Sequence, residues 1–285
     1  MDEATGEGTV NPPANPGVSP RRLRGWISQA DGVGDGRFFL LISVPLVVLY
    51  LATATWSLPY HIDAFTNVLS SWKLGTDGTF LLDDHVQLAE PEYYGYVALI
   101  VPAAESATSQ YPPGTALLTA PLYAVWPQDA QIALFSSEVR PDVAPVEALR
   151  PPIGPAAITA SFTAAIAVGL LGVVFRRLGG GSLMALLAAA VAGLGTSAWS
   201  VAADQLWQHG PGMMWIALAL LLSERHAVAP GFAFGAAVLT RPPTAFIAAA
   251  TGIYGSWKER SLRPILGIGV GALIGLAPVS YTHLT

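Results

Sequence analysis

The residues best suited to chemistry in this 285-residue sequence follow or interrupt long apolar stretches. The segment Tyr60 to Asp63 directly follows the first such stretch. A rigid helix end can fix a side chain in place, so the Asp63 carboxylate is a candidate general base, with His61 beside it as a substrate contact. A solvated loop aspartate is the alternative interpretation of Asp63.

The loop from Asp204 to Gly210 places several polar or amphipathic side chains between two apolar stretches. In a membrane this position is unfavourable for polar groups unless they line a wet cavity. We therefore predict that Asp204, Gln205 and His209 form one wall of a substrate pocket. A metal site at Asp204 and His209 would lack a third protein ligand, so no metal is assigned.

Two further residues are candidate ligand contacts. Tyr111 lies in the segment Gln110 to Gly114, where paired prolines stiffen the entry to a short apolar stretch. Its hydroxyl could hydrogen-bond a ligand, and a purely structural turn is the alternative.

Arg241 is a lone cation in the apolar stretch from Pro230 to Trp257. Its forked guanidinium suits a phosphate, while snorkelling or pairing with a buried carboxylate is the alternative.

The composition predicts an integral membrane protein. Hydrophobic residues make up 52% of the chain and charged residues 12%, and the mean hydropathy is +0.49. Soluble domains carry about twice that charge, which excludes an ordinary cytosolic enzyme. The net charge of −5 offers no basic surface to nucleic acid, and the lack of cysteine excludes disulfides and thiolate metal sites. The sequence also lacks Walker, dinucleotide-binding and zinc-protease motifs.

The charge distribution predicts how the chain crosses a membrane, which we take to be the bacterial cytoplasmic membrane. Residues 1–37 form a flexible tail whose arginines precede the first span, Phe38 to Trp56, so the N-terminus is cytoplasmic. Residues 57–154 form a large first exoplasmic loop with an excess of acidic residues. Within this loop Thr115 to Trp126 predicts a helix at the outer leaflet, and a true short span is the alternative.

Further apolar stretches complete an all-α integral membrane bundle with several spans. They are Pro155 to Phe175, Ser182 to Ala202, Gly210 to Leu222 and Pro264 to Val279. The stretch from Pro230 to Trp257 is interrupted by Arg241-Pro242-Pro243, and proline disfavours helical geometry in the residue before it. We predict two short helices with a broken tip near the exoplasmic side, and a single kinked helix is the alternative. Residues 280–285 resemble a translated sequencing adaptor. They predict a foreign or truncated end after the transmembrane module, which we take to be residues 38–279.

Taken in chain order, the polar segments around Asp63, Tyr111, His209 and Arg241 resemble those of the membrane-embedded glycosyltransferases of the GT-C fold. The similar branch contains protein mannosyltransferases and aminoarabinose transferases, which are phospholipid carrier-dependent. The resemblance covers Phe38 to Ala277 and includes the acidic residue after the first span and the long first loop. The segment Tyr111 to Gly114 is similar to the family's His/Lys-Pro-Pro element. Gly195 to Trp199, then Trp207 to His209, and also Leu239 to Pro242 are similar to bacterial members.

This resemblance implies inverting transfer of a hexose or pentose from a polyprenyl-phosphate donor on the exoplasmic face of the cell envelope. The acceptor would be a lipid, a glycan or a protein. Asp63 would be the base and Arg241 would hold the donor phosphate. The sugar pocket would be lined by Tyr111, Gln205 and His209. The lipid-linked donor is a substrate, and no cofactor is assigned.

Other interpretations stay open. A transporter or lipid-linked-glycan translocase would use Asp204 and Arg241 as coupling charges, and a non-catalytic assembly protein would use neither. A divalent cation is compatible with polyprenyl-phosphate chemistry. However, adjacent residues in an extended segment point apart, so we predict solvated charges rather than a metal cluster in the external loop. These residues are Lys73, Asp77, Asp83, Asp84, His85, Glu90 and Glu92.

Overall fold

The computed structural model describes residues 32–57, 62–89, 100–103, 106–128, 131–136, 142 and 144–278. These residues are mostly helical, at 73%, as the predicted all-α class requires. Several sequence predictions lie outside the described residues. They concern the tail 1–31, His61, Glu90, Glu92 and the segment 280–285.

The helices and strands are numbered in chain order over the described residues. The α-helices are α1 (Asp35–Thr53), α2 (Ile62–Asp77), α3 (Gly114–Val125), α4 (Gly154–Phe175), α5 (Gly181–Leu194), α6 (His209–Ser223), α7 (Ala229–Thr240), α8 (Ala245–Glu259) and α9 (Arg263–Gly275). The strands β1 (Ile100–Ala103) and β2 (Ser106–Ser109) form one antiparallel pair, and β3 (Gln131–Phe135) and β4 (Val146–Arg150) form another. A 3-10 helix covers Asp83–Ala89.

The helices α1, α4 and α5 pack around one apolar core. The Tyr50 hydroxyl is fully buried there and donates a hydrogen bond to the carbonyl oxygen of Gly193, at 2.7 Å. Helices α4 and α5 are joined by a turn at Arg176–Gly180, in which Gly179 has a φ of 95°. Helix α5 ends at Leu194, earlier than the predicted Ala202, because a separate turn covers Ala198–Ala202.

Two helical stretches of the described residues are long and apolar enough to cross a membrane. They are Asp35–Thr53 and Gly154–Leu194, the second of which contains the turn between α4 and α5. Shorter apolar helices are α3, α6, α7 and α9. The first stretch begins three residues before the predicted Phe38, because Asp35 pairs with the two arginines that end α4.

Helices α7 and α9 approach each other through glycine. A methyl group added to Gly231 or Gly235 would overlap the backbone of α9, and one added to Gly267, Gly271 or Gly275 would overlap the backbone of residues 227–236. Small residues four apart on both helices allow this close approach, as in membrane helix pairs.

The apolar stretch around Arg241 forms two helices rather than one kinked helix, as predicted. Helix α7 ends at Thr240, Arg241 is extended with φ −150° and ψ 101°, and a 3-10 turn covers Pro242–Thr244 before α8. Pro242 explains the extended backbone, because it disfavours helical geometry in the residue before it.

The described residues between α1 and α4 form a packed layer of helices and strands. Helices α2 and α3 pack against each other, and Phe65, Leu69 and Tyr123 belong to a shared core with the 3-10 helix and the strands. The prediction of solvated charges is wrong for two residues. The Lys73 ammonium is buried and pairs with Asp77 and Asp84, and the His85 side chain has no exposed surface.

Ion pairs bring several helix ends to one end of the molecule. Arg177 pairs with Asp35 at the start of α1 and, at 2.9 Å, with Glu224 after α6, while Arg176 donates to the carbonyl oxygen of Val33. We call this the basic end. It contains the starts of α1 and α9 and the ends of α4, α6 and α8. The opposite end, which carries Asp63 and Arg241, is called the site end.

Candidate functional site

Asp63 lies in the first turn of α2 and is half-buried. A carboxylate is favourable there because the helix N-terminus carries partial positive charge. One turn later, the Asn67 amide donates to the Asp63 carbonyl oxygen at 3.1 Å and to the Leu206 carbonyl oxygen at 3.2 Å. Asn67 therefore ties the Asp63 turn to the loop that leads to His209.

The Tyr111 hydroxyl is within hydrogen-bonding reach of the Asp63 carboxylate. Burial raises the pKa of Tyr111 to about 12, and the negative charge of Asp63 and its hydrogen bond add to this effect. Tyr111 therefore stays protonated at neutral pH and can donate to the carboxylate. The turn that carries it ends where α3 begins, at Gly114.

Gly114 allows the turn that carries Tyr111 to pack against the end of α7, next to Arg241. A Cβ atom on Gly114 would lie 2.6 Å from the Thr240 nitrogen and 2.7 Å from the Leu239 carbonyl carbon. Because these are backbone atoms, no side-chain rotation can relieve the overlap. Only glycine permits the start of α3 to lie this close to Arg241.

His209 and Arg241 form a direct pair. The Arg241 Nη1 and His209 Nδ1 atoms are 2.8 Å apart. Arginine only donates, so Nδ1 accepts and the His209 proton resides on Nε2. Trp207 stacks on the His209 ring, with centroids 5.7 Å apart and planes at 25°. The imidazole is held on two sides, while the exposed Arg241 keeps donors for a ligand.

Four predicted residues thus converge, and we call Asp63, Tyr111, His209 and Arg241 the site quartet. The Asp63 carboxylate and the Arg241 guanidinium both act electrostatically on His209, in opposite directions. The quartet therefore presents an anionic group and a cationic group near a neutral imidazole. This arrangement can accept a proton at one position and stabilise a developing anion at another.

A cavity of about 550 Å³ adjoins the quartet. Its lining includes Tyr111 and Pro242, together with polar side chains of α2 and β2 such as Asn67, Ser70 and Thr108. The Ser70 hydroxyl is buried and finds no hydrogen-bond partner among the described residues. Buried hydroxyls normally have a partner, so Ser70 is an unsatisfied polar group in the wall of this cavity.

Asp204 and Gln205, also predicted to line the pocket, contact other parts of the chain. Both Asp204 carboxylate oxygens accept from the Thr55 hydroxyl, at 2.9 and 3.1 Å, and one also accepts from the Thr55 backbone nitrogen. Asp204 thereby anchors the chain after α1. The Gln205 carbonyl oxygen accepts from the Trp207 nitrogen, which shapes the turn before His209.

Sequence reasoning missed Asn67 and Ser70. Asn67 lies four residues after Asp63, and that helical spacing was a usable signal. Ser70 carries no signal in the sequence, because its cavity exists only once α2 meets the Tyr111 turn. Among the described residues, no three His, Asp or Glu side chains are grouped so that they could hold a metal ion.

Comparison with known proteins adds no relative. No protein-family model, curated protein or solved structure matches this chain. The function is therefore argued from the site quartet, the adjoining cavity and the apolar helices.

Proposed function

We propose that the protein is a membrane-embedded glycosyltransferase that moves a hexose or pentose from a polyprenyl-phosphate donor to a lipid, glycan or protein acceptor. The observation that carries this proposal is the convergence of a half-buried carboxylate and an exposed guanidinium on His209 beside a cavity with polar side chains in a mainly apolar wall. The resemblance of the same residues to the GT-C glycosyltransferases supports it.

The roles follow from the charges of the quartet. Asp63 takes the proton from an acceptor hydroxyl, and the acceptor oxygen then attacks the anomeric carbon of the sugar. The bond between that carbon and the phosphate oxygen breaks, with inversion. Its electron pair leaves with the polyprenyl phosphate. Arg241 stabilises the charge that develops on this phosphate, because a fixed cation needs no reorganisation during the reaction.

Tyr111 and His209 position these two groups. The Tyr111 hydroxyl reaches the Asp63 carboxylate, and the His209 imidazole accepts a hydrogen bond from Arg241. Sugar oxygens in the cavity would contact the Tyr111 side chain and the polar side chains of α2 and β2 that line it.

The helices suit a protein that crosses the membrane several times, with an extracytoplasmic site. Helices α6 and α7 have 15 and 12 residues, which corresponds to roughly 23 and 18 Å and is less than the roughly 30 Å hydrocarbon core. Both helices stop at the site end, so Arg241 and His209 lie in a recess within the outer leaflet. The basic end then faces the cytoplasm of a bacterium, with the N-terminus inside.

The proposal is tested in proteoliposomes with a panel of polyprenyl-phosphate sugars, by measuring release of free polyprenyl phosphate. We expect the wild type to turn over one of these donors. Asp63→Asn should reduce turnover by about 100-fold or more, because general-base catalysis contributes at least that factor. Asp77→Asn is the matched control, because Asp77 lies on the same helix and pairs with Lys73 away from the quartet.

Turnover that survives Asp63→Asn would refute the role of Asp63 as the general base. Counterflow of a lipid-linked glycan across sealed vesicles without bond cleavage would instead favour the translocase. The contacts of Asp204 count against that second function, because Thr55 already occupies both of its oxygens.

A further inference from the structure

A second, larger cleft begins at the basic end, and none of its lining residues belongs to the quartet. It has a volume of about 760 Å³ and runs along α8, with the ends of α4 and α6 forming its other wall. Phe246 and Lys258 both line it, so it extends over roughly 18 Å of helix α8. This length is close to half of the roughly 30 Å hydrocarbon core of a membrane, which is the depth of one leaflet.

The cleft is apolar along its length and charged at one end. Its apolar wall includes Leu178, Phe246, Ile247 and Tyr254, and the first two side chains are 76% and 80% exposed. Its charged end is lined by Lys258, His226, Glu224 and Glu259. An apolar groove with charged groups at one end matches a lipid that has an acyl chain and a charged headgroup.

The surrounding charges favour an anion. In the described part of the chain, the basic end carries seven basic and three acidic side chains: Arg37, Arg176, Arg177, Arg225, Lys258, Arg260 and Arg263 against Asp35, Glu224 and Glu259. Asp35 and Glu224 are already engaged by the arginines that end α4. The described residues provide no ion pair to Lys258, Arg225, Arg260 or Arg263.

Aromatic residues mark the depth of the cleft mouth. Tyr254 and Trp257 lie one turn apart at the end of α8, with ring centroids 6.2 Å apart, and Trp257 is 76% exposed. Tyrosine and tryptophan concentrate at the level of the lipid headgroups. Lys258, the next residue, therefore lies where a lipid phosphate would be.

We propose that this cleft binds an anionic phospholipid of the cytoplasmic leaflet. One acyl chain lies along α8 between Phe246 and Tyr254, and the phosphate contacts Lys258 and the neighbouring arginines. Basic pockets between membrane helices bind anionic headgroups in this way. The proposal does not depend on the glycosyltransferase function, because the cleft and the quartet share no residue.

The test measures lipid binding to the detergent-purified chain by native mass spectrometry. Phosphatidylglycerol is compared with phosphatidylcholine of the same acyl chains. We expect tighter binding of phosphatidylglycerol. Lys258→Gln should weaken it about fivefold, since one surface cation contributes about that factor. Arg150→Gln, in β4, is the charge control and should bind as the wild type does.

A second pair of variants tests the apolar part of the cleft. Ala250 lines the cleft and Ala249 does not, and both are exposed on α8. Ala250→Trp should fill the cleft and abolish binding of phosphatidylglycerol, while Ala249→Trp should leave it intact. Asp63→Asn should also bind the lipid normally, whatever its effect on sugar transfer.

Three results would overturn the proposal. They are equal binding of the two phospholipids by the wild type, full binding by Ala250→Trp, and displacement of phosphatidylglycerol by an equimolar amount of polyprenyl phosphate. Glycerol phosphate without acyl chains should not compete, and competition by it would point to a soluble phosphate as the ligand.

Discussion

His85 is a buried imidazole held by one hydrogen bond. Its Nε2 atom is 2.7 Å from the Leu149 carbonyl oxygen, which makes Nε2 the donor, and its Nδ1 finds no partner among the described residues. Burial lowers the pKa of His85, and the Lys73 charge adds to this, while the hydrogen bond to Leu149 and the charge of Asp84 oppose it. The folded protein therefore keeps His85 neutral at a pH where the unfolded chain binds a proton.

The free energy of unfolding should therefore fall as the pH drops below about 6.5, the ordinary histidine pKa. The stabilisation is fully present above that pH and is lost towards the lowered folded pKa, at up to roughly 1.4 kcal/mol per pH unit. Denaturant titrations of the wild type and His85→Gln in detergent between pH 5 and 8 should show a smaller loss in the variant. His226→Gln, at an exposed histidine, is the control. Parallel pH profiles for the wild type and His85→Gln would contradict this account.

The site quartet shows how far residue types can predict a site. Asp63, Tyr111, His209 and Arg241 were all predicted from polar groups that follow or interrupt apolar stretches, and the structure brings them together. Asp204 satisfied the same criterion, yet its carboxylate binds the backbone and hydroxyl of Thr55. Sequence position cannot distinguish these two outcomes, because the partner of Asp204 lies about 150 residues earlier in the chain.

At the scale of elements, the contact between α7 and α9 depends on the absence of side chains. A methyl group on Gly271 would overlap the backbone of Val228 and Phe232, whereas nothing lies within 4 Å of the same position on Gly269. Gly271→Ala should therefore lower the free energy of unfolding by about 1–3 kcal/mol, as overpacking does. Gly269→Ala, two residues away on the same helix, should be neutral or slightly stabilising. Equal thermal midpoints for the two variants would show that α7 and α9 do not pack closely.

The elements that the sequence predicted well are those with a strong local cause. The break at Arg241 follows from two consecutive prolines, and α4, α7 and α9 each have a proline in the first turn. The layer formed by α2, α3 and the two small sheets was predicted as a large exoplasmic loop with one short helix, Thr115 to Trp126, which corresponds to α3. Its core joins residues far apart in sequence, such as Phe65 and Phe135, whose rings lie 5.7 Å apart. No local pattern encodes such a contact.

At the scale of the whole molecule, charge separates the two ends. The basic end has an excess of basic residues, whereas the described residues of the site end and its outer layer are mainly acidic. Under the positive-inside rule this asymmetry predicts an exoplasmic site end. Because the chain has no cysteine, single cysteines can report the orientation directly.

Two exposed serines provide a matched pair. Ser136 follows β3 in the outer layer, and Ser261 lies between α8 and α9 at the basic end. In intact cells a membrane-impermeant thiol reagent should label Ser136→Cys at once and Ser261→Cys only after lysis. Labelling of Ser261→Cys alone would reverse the orientation, and equal labelling of both in intact cells would place both residues on the outside and contradict this topology.

Native mass spectrometry of the full chain purified in mild detergent tests the central claim most directly, by comparing the wild type with Arg241→Ala and with Arg150→Ala as control. The proposed function predicts that a polyprenyl phosphate, with or without its sugar, accompanies the wild type and the control and is lost from Arg241→Ala, and the attached sugar would then name the donor. If all three proteins retain the lipid equally, or none carries it when polyprenyl phosphate is supplied, Arg241 does not hold a donor phosphate and the glycosyltransferase account is wrong.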